Sequence, residues 1–332
     1  MVSLFSPLTV KQLTFRNRIV MPPMGMNQAD ERGAVTEAHM QHYTSRAAAG
    51  VGLVIVEHTF IRPDGQASQG QLGITDDALI PGLRRLAGAI KAQGSLAVLQ
   101  ITHGGGRATR AITGSQPLAP SDGIVPPRGA EPARALTVPE IDAIVGAFAA
   151  AARRAFQAGF DGVEVHGAHG YLLSEFLSPL VNRRTDEYGG SLANRLRMPL
   201  RVVEAVRQVV DAGHLLLYRL GADDLLPGGL AQAEGCQAAH ALAAAGVDVL
   251  DVSGGLGGDQ LPGWDGASQG YFVPMAAAVR VAAGVPVIGV GGIKDPHAAD
   301  RIIRAGQVDM VAVGRAMMND PNWAAEARAA LG

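Results

Sequence analysis

Short apolar, strand-like segments alternate with longer, alanine-rich helical segments eight times along this 332-residue chain. No other feature restricts the possible folds as strongly. The strand-like runs fall at residues 18–21, 53–57, 97–101, 162–165, 215–220, 249–252, 286–290 and 310–313. The helical runs fall at 37–49, 77–92, 138–158, 192–210, 231–245, 273–283, 296–305 and 321–330. Several helical runs stop at a glycine (Gly50, Gly94, Gly159, Gly246, Gly284, Gly306), the residue that most easily takes the left-handed turn ending a helix. The third begins with the capping box Thr137-Val-Pro-Glu140. Strands buried on both faces read as nearly continuous apolar runs, and eight β–α units in series predict a parallel α/β fold, the (β/α)8 TIM barrel. A doubly wound open sheet is the rival. Residues 4–15 resemble a hairpin that closes the barrel bottom.

The connections are unequal. Residues 103–136, after the third strand, form a long stretch rich in Gly, Pro and Arg without periodicity. A loop of this length in a compact domain is usually a lid or a binding loop, or is disordered. The loops after strands four and six are also long, whereas reverse connections such as 92–96 are short. In a barrel the loops after the strands build the active face. This asymmetry therefore identifies the end that carries chemistry.

Composition narrows the partners. Lys plus Arg number 28 and Asp plus Glu 30, a formal charge of 28 − 30 = −2, with no basic stripe for nucleic acid or an anionic membrane. The lone Cys236 excludes internal disulfides, a cysteine-ligated zinc site and a four-cysteine iron–sulfur cluster. The opening MVSLFSPLTVKQLTF has no apolar signal core, and no apolar run reaches membrane-spanning length. The expectation is a cytoplasmic protein acting on a small molecule, without nucleic acid or membrane, with a homo-oligomer possible.

Two strand ends suit a phosphate. Strand seven runs into Gly289-Val-Gly291-Gly292-Ile-Lys294 and strand eight into Val313-Gly314-Arg315. Barrels often hold a phosphate on backbone N–H groups at these loops, and Arg315 can add a bidentate contact. Tight turns plus a surface arginine are the alternative. A dinucleotide fingerprint does not fit, because the third glycine and a following acidic residue are missing. Strand four ends in His166-Gly-Ala-His169-Gly-Tyr171. Imidazoles can hydrogen-bond a developing oxyanion and a phenol can deliver a proton. His166, His169 and Glu164 could alternatively bind a metal, though no third strong ligand lies nearby. His39 and His42, three apart on the first helix, read as a solvated face.

Residues 161–197, DGVEVHGAHGYLLSEFLSPLVNRRTDEYGGSLANRLR, resemble the Old Yellow Enzyme family of FMN-dependent ene-reductases, and the likeness extends over nearly the whole chain. The resemblance implies one FMN-binding barrel domain over residues 1–332 and NADH or NADPH as hydride donor. It implies that the backbone around Pro23, Met24 and Gly25 and at His58 lines the isoalloxazine. It further implies that Gln100 meets the pyrimidine end and Arg219 the N1/O2 edge, with Gly291, Gly292, Gly314 and Arg315 around the phosphate. A fixed guanidinium there would stabilise the charge of reduced flavin. Read without the resemblance, Arg219 could form a buried ion pair with Asp223, Asp224 or Glu164, and Gln100 could equally be a satisfied core amide.

The resemblance assigns His166 and His169 as donors to the substrate carbonyl and Tyr171 as proton donor. The implied activity is reduction of the activated C=C bond of an enone or enal. Arg183, Arg184 and the following Asp-Glu-Tyr-Gly-Gly-Ser191 read as a structural brace. Gly25 stands where many members carry Thr or Cys. Met21-Pro-Pro-Met-Gly25 and Gln269-Gly-Tyr-Phe-Val-Pro274 are similar to the barrel of dienoyl-CoA and enoate reductases, which add an iron–sulfur segment and a dinucleotide domain. This sequence shows neither, so NAD(P)H is expected in the substrate pocket. Three alternatives stay open: a flavin barrel that takes electrons from a partner or acts oxidatively, a non-catalytic flavin-binding protein, and a flavin-free lyase or aldolase using Lys294.

Overall fold

The computed structural model describes residues 2–332. Eight parallel strands close on themselves: β1 (Ile19–Met21), β2 (Leu53–Phe60), β3 (Leu96–Thr102), β4 (Gly162–Gly167), β5 (Leu215–Gly221), β6 (Val249–Ser253), β7 (Val287–Gly289) and β8 (Met310–Ala312). They pair in chain order, and β8 returns to β1 through Val311 opposite Ile19 and Ala312 opposite Val20. That closure excludes the open doubly wound sheet. The main outer helices are α1 (Glu37–Ala48), α2 (Ile80–Ala92), α3 (Val138–Gln157), α4 (Leu192–Arg207), α5 (Gln232–Ala244), α6 (Val273–Ala283), α7 (Pro296–Arg304) and α8 (Trp323–Leu331). The Thr137 cap of α3 forms the expected box with Glu140. The segment before α2 is a separate 3-10 turn, Asp77–Leu79, capped by Asp76.

Alternation along the strands makes two cores. Residues such as Val54, Val56, Leu99, Val163 and Leu216 pack outward against the helices. Val20, Ile55, Val98, Leu217 and Val249 point into the barrel. An antiparallel hairpin, Leu8–Val10 with Leu13–Phe15, sets Val10 and Phe15 against this inner cluster and closes the bottom. Each such buried side chain contributes about 1.5–3 kcal/mol. Toward the other mouth the inward positions turn polar: Gln100 on β3, Glu164 and His166 on β4, Arg219 on β5, and Asp251 and Ser253 on β6. The apolar interior thus ends where the long loops begin.

Those loops are ordered by their own contacts. Residues 103–136 hold a 3-10 turn, Gly105–Arg107, a short helix, Arg110–Thr113, and two paired two-residue strands, Leu118–Ala119 and Arg134–Ala135. Arg184, held by Asp186, donates to the carbonyls of Pro120 and Leu136 and so ties this loop to the segment ahead of α4. No helix among the described residues is long and apolar enough to cross a membrane.

Candidate active site

A cavity of about 450 Å³ opens at the C-terminal mouth of the barrel. Its wall includes Met24 from the end of β1, Arg219 from β5, Gly291 and Gly292 after β7, and Gly314 and Arg315 after β8. Pro23 and Gly25 flank Met24 in sequence. The space beside Gly25 is taken by the His58 ring, whose Cε1 lies 2.8 Å from where a Cβ would stand. Gln100 sits deeper, on the buried polar layer. The loop ends spread along four strands therefore meet around one hollow.

At one end of the hollow the turn after β7 is built by glycine. Gly291 and Gly292 have φ of +125° and +64°, and a Cβ at Gly291 would lie 2.8 Å from the Tyr271 backbone nitrogen. The N–H groups of Gly291 and Gly292 find no acceptor among the described residues. Arg315 reaches over this end, donating to the Tyr271 hydroxyl at 3.1 Å and stacking 4.6 Å above the Trp264 ring. Free backbone donors beside a guanidinium are what a phosphate requires. Trp264 and Tyr271 come from the loop after β6 and its approach to α6; nothing in their spacing placed them here.

Under the hollow lies a layer of charged groups. Gln100 donates to Glu164 at 2.8 Å, and the Arg219 Nε is 3.5 Å from Asp251. Asp251 stands opposite Arg219 in the β6–β5 register. The ion partner of Arg219 is thus Asp251, not Asp223, Asp224 or Glu164. Glu164 and Asp251 are fully buried with one guanidinium between them. Burial, and for Glu164 the neighbouring Asp251 charge, push both carboxyls above the usual range. One Glu164 oxygen, both Asp251 oxygens and the Arg219 Nε find no hydrogen-bond partner. Buried polar groups left unpaired are costly, and Arg219 borders the cavity.

Beside Arg219 stand the aromatic groups of β4 and its loop. His166 pairs with Arg219 in the strand register. Its Nδ1 accepts the Ala168 N–H at 3.3 Å, which leaves Nε2 as the donor. His169 adopts a left-handed backbone, φ 59°; its N–H donates to Gly254 O and its Nε2 lies 2.8 Å from Ser253 Oγ. The His166 ring is 5.3 Å from His169 and 4.5 Å from Tyr171, centroid to centroid, and His58 is 5.6 Å from Tyr171. Burial, reinforced by nearby cations, drives His166 and His169 well below the ordinary imidazole range, and His58 to about 4. All three rings are neutral near pH 7. Burial raises the Tyr171 phenol, and Arg107 opposes it most. Among the described residues no group of three His, Cys, Asp or Glu is placed to hold a metal ion. Glu164 turns instead to Gln100.

His39 and His42 are buried, not solvated. His39 Nδ1 accepts the Thr36 N–H at 3.2 Å and its Nε2 lies 3.0 Å from a Glu57 oxygen. The other Glu57 oxygen accepts the Met26 N–H at 2.6 Å, and the Glu57 N–H donates to the Tyr43 hydroxyl. This network ties α1 to the end of β2 and fixes the Pro23–Met26 segment that borders the hollow. Its one sequence signal is an acidic residue closing an otherwise apolar strand.

The residues present fit a bound flavin mononucleotide: glycine-built N–H donors at one end, a guanidinium whose Nε lacks a hydrogen-bond partner at the other, and an apolar wall between. Comparison with known proteins agrees. Residues 3–331 match the NADH:flavin oxidoreductase / NADH oxidase family. The chain is 41% identical over 331 residues to an NADH oxidase of Thermoanaerobacter brockii, covering 98% of this chain and 50% of that protein. It therefore spans about half the length of that relative. It is 40% identical over 331 residues to an NADPH dehydrogenase of Geobacillus thermodenitrificans, covering 99% and 94% of the two. The structure of morphinone reductase in complex with tetrahydroNAD superposes with a TM-score of 0.85 at 29% identity, covering 100% of this chain and 92% of that one.

Proposed function

The chain belongs to the NADH:flavin oxidoreductase / NADH oxidase family, whose members are oxidoreductases using flavin and NAD(P)H, and we propose that it reduces the activated C=C bond of α,β-unsaturated carbonyl compounds. We take residues 1–332 as one barrel domain that holds FMN. Gly291, Gly292, Gly314 and Arg315 would hold its phosphate; Pro23, Met24, Gly25, His58, Gln100 and Arg219 would hold its ring. Bound there, FMN supplies hydride transfer from NAD(P)H to the acceptor.

The carrying observation is the buried cluster of His166, His169 and Tyr171 beside Arg219. The His166 Nε2–H can donate to a substrate carbonyl oxygen. With its Nε2 accepting from the Ser253 hydroxyl, His169 would offer its Nδ1–H as a second donor. Neutral donors in a water-poor site stabilise the enolate as negative charge reaches that oxygen. The Tyr171 hydroxyl then delivers its proton to the α-carbon, completing addition of one hydride and one proton across the double bond. The left-handed backbone of His169 and its N–H bond to Gly254 O help set these positions.

The test is anaerobic reaction of the FMN-loaded enzyme with NADH or NADPH, followed by mixing with a panel of cyclic enones and enals. Formation of the saturated ketone at a rate that tracks reoxidation supports the reading. Reoxidation only by a partner protein or by dioxygen, or net oxidation of an amine or alcohol, would replace it.

A further inference from the structure

Arg107 lies on the glycine-rich loop after β3. It follows three glycines at the end of β3, and that run makes its position possible. Gly105 has φ +61°, and a Cβ there would clash with a Glu175 oxygen and lie 2.9 Å from Leu172 Cα. Only glycine lets the loop lie this close to the short helix Leu172–Leu177 that follows Tyr171. The buried Glu175 carboxyl accepts the Gly106 N–H at 3.0 and 3.1 Å, and Leu172 N–H donates to His103 O. These contacts carry the next residue over the active site. The Arg107 guanidinium sits 4.5 Å above the Tyr171 ring centroid and donates to His169 O at 3.1 Å. Among the described residues it forms no ion pair, and burial keeps the neighbouring Glu175 carboxyl protonated at neutral pH.

We propose that Arg107 is a positioning residue for proton delivery: its guanidinium holds the Tyr171 ring in place and stabilises the phenolate left when Tyr171 gives up its proton. The proposal rests on Tyr171 being the proton donor. In the step the Oη–H bond breaks, a C–H bond forms at the substrate α-carbon, and the phenolate regains a proton from water. Other groups facing Tyr171 are the neutral His58 and His166 rings, Arg128, Arg219 and Asp259. Arg128 is already paired with Asp259 at 3.1 Å, and Arg219 with Asp251. Arg107 is thus the cation near the ring that no ionised carboxylate offsets at neutral pH. An unshared cation at this distance shifts an ionisable group by about 1–3 pH units.

The experiment titrates tyrosines labelled with carbon-13 at the ring carbon bearing oxygen, in FMN-loaded wild type, R107Q and R107K, with Y171F assigning the Tyr171 resonance. R107Q keeps a donor for His169 O but loses the charge; R107K keeps the charge. The expected result is a Tyr171 pKa about 1–3 units higher in R107Q and near wild type in R107K. Enone-dependent reoxidation should slow about tenfold or more in R107Q alone. An unchanged Tyr171 pKa in well-folded R107Q overturns the proposal. Equal shifts in both variants also overturn it, since they would report packing rather than charge. If Y171F leaves enone-dependent reoxidation intact, the proton-donor reading fails on its own, independently of the titration.

Discussion

Glu175 offers a prediction that the structure makes quantitative. Its side chain is fully buried against the glycine loop after β3, with only the Gly106 N–H as hydrogen-bond partner. Burial lifts its pKa from the ordinary 4.5 to about 8, against the pull of that N–H and of Arg107. Between those values the folded protein keeps a proton that the unfolded chain releases. The native state then binds more protons, so its stability falls as pH rises through this window and levels off above pH 8. At ~1.36 kcal/mol per pH unit the full loss is on the order of 5 kcal/mol. For 332 residues the unfolding entropy is ~0.7 kcal/mol per degree, so the effect on Tm is about 7 °C at most. Glu175→Gln preserves the shape of the neutral acid and removes the titration. Its Tm minus that of wild type should be near zero at pH 4.5, climb to several degrees by pH 8, and then stay flat. Other titrating groups are common to both proteins and cancel in the difference. Calorimetry across pH 4.5–9 reads this directly, and a Tm difference independent of pH would refute the reasoning.

Two further predictions concern the wall around Pro23–Met26. Gly25 has no positive φ, so the obstacle to a side chain is the His58 ring alone. Gly25→Thr should cost about 1–3 kcal/mol by overpacking, and adding His58→Ala should recover most of it; an equal loss in the double variant would show that the backbone, not His58, resists. His39→Leu leaves the buried Glu57 carboxylate without its imidazole partner and should cost about 3–5 kcal/mol in chemical denaturation, with weaker FMN retention because Met26 loses a firm acceptor. A loss below about 0.5 kcal/mol would mean that Glu57 is satisfied without His39.

The barrel was legible because its evidence is local and repeated. Each apolar strand ends where a polar or glycine-rich loop starts, and eight repeats leave little room for another closure. The glycine turns after β7 and β8 were equally readable, since a tight turn at a strand end is a property of a few adjacent residues. What stayed hidden depends on register. Asp251 looks like an interruption in Val249–Ser253 until pairing sets it opposite Arg219. His39 looks like one of two polar residues at helical spacing until α1 docks its first turn on Glu57. Arg107 lies in a loop without periodicity, and only the close approach of Gly105 to Leu172 brings it over Tyr171. These contacts join residues 18 to 64 positions apart, and no short window of sequence contains both partners.

The central claim is that Tyr171 delivers a proton to carbon while His166 and His169 hold the carbonyl. Anaerobic stopped flow on wild type and Tyr171→Phe, with each half-reaction followed separately, tests it most directly. Loss of the hydroxyl should slow the enone-dependent half-reaction about 10²–10⁴-fold. The NAD(P)H-dependent half-reaction, which needs no proton at carbon, should keep its rate. Equal slowing of both, or full retention of both, would contradict the account.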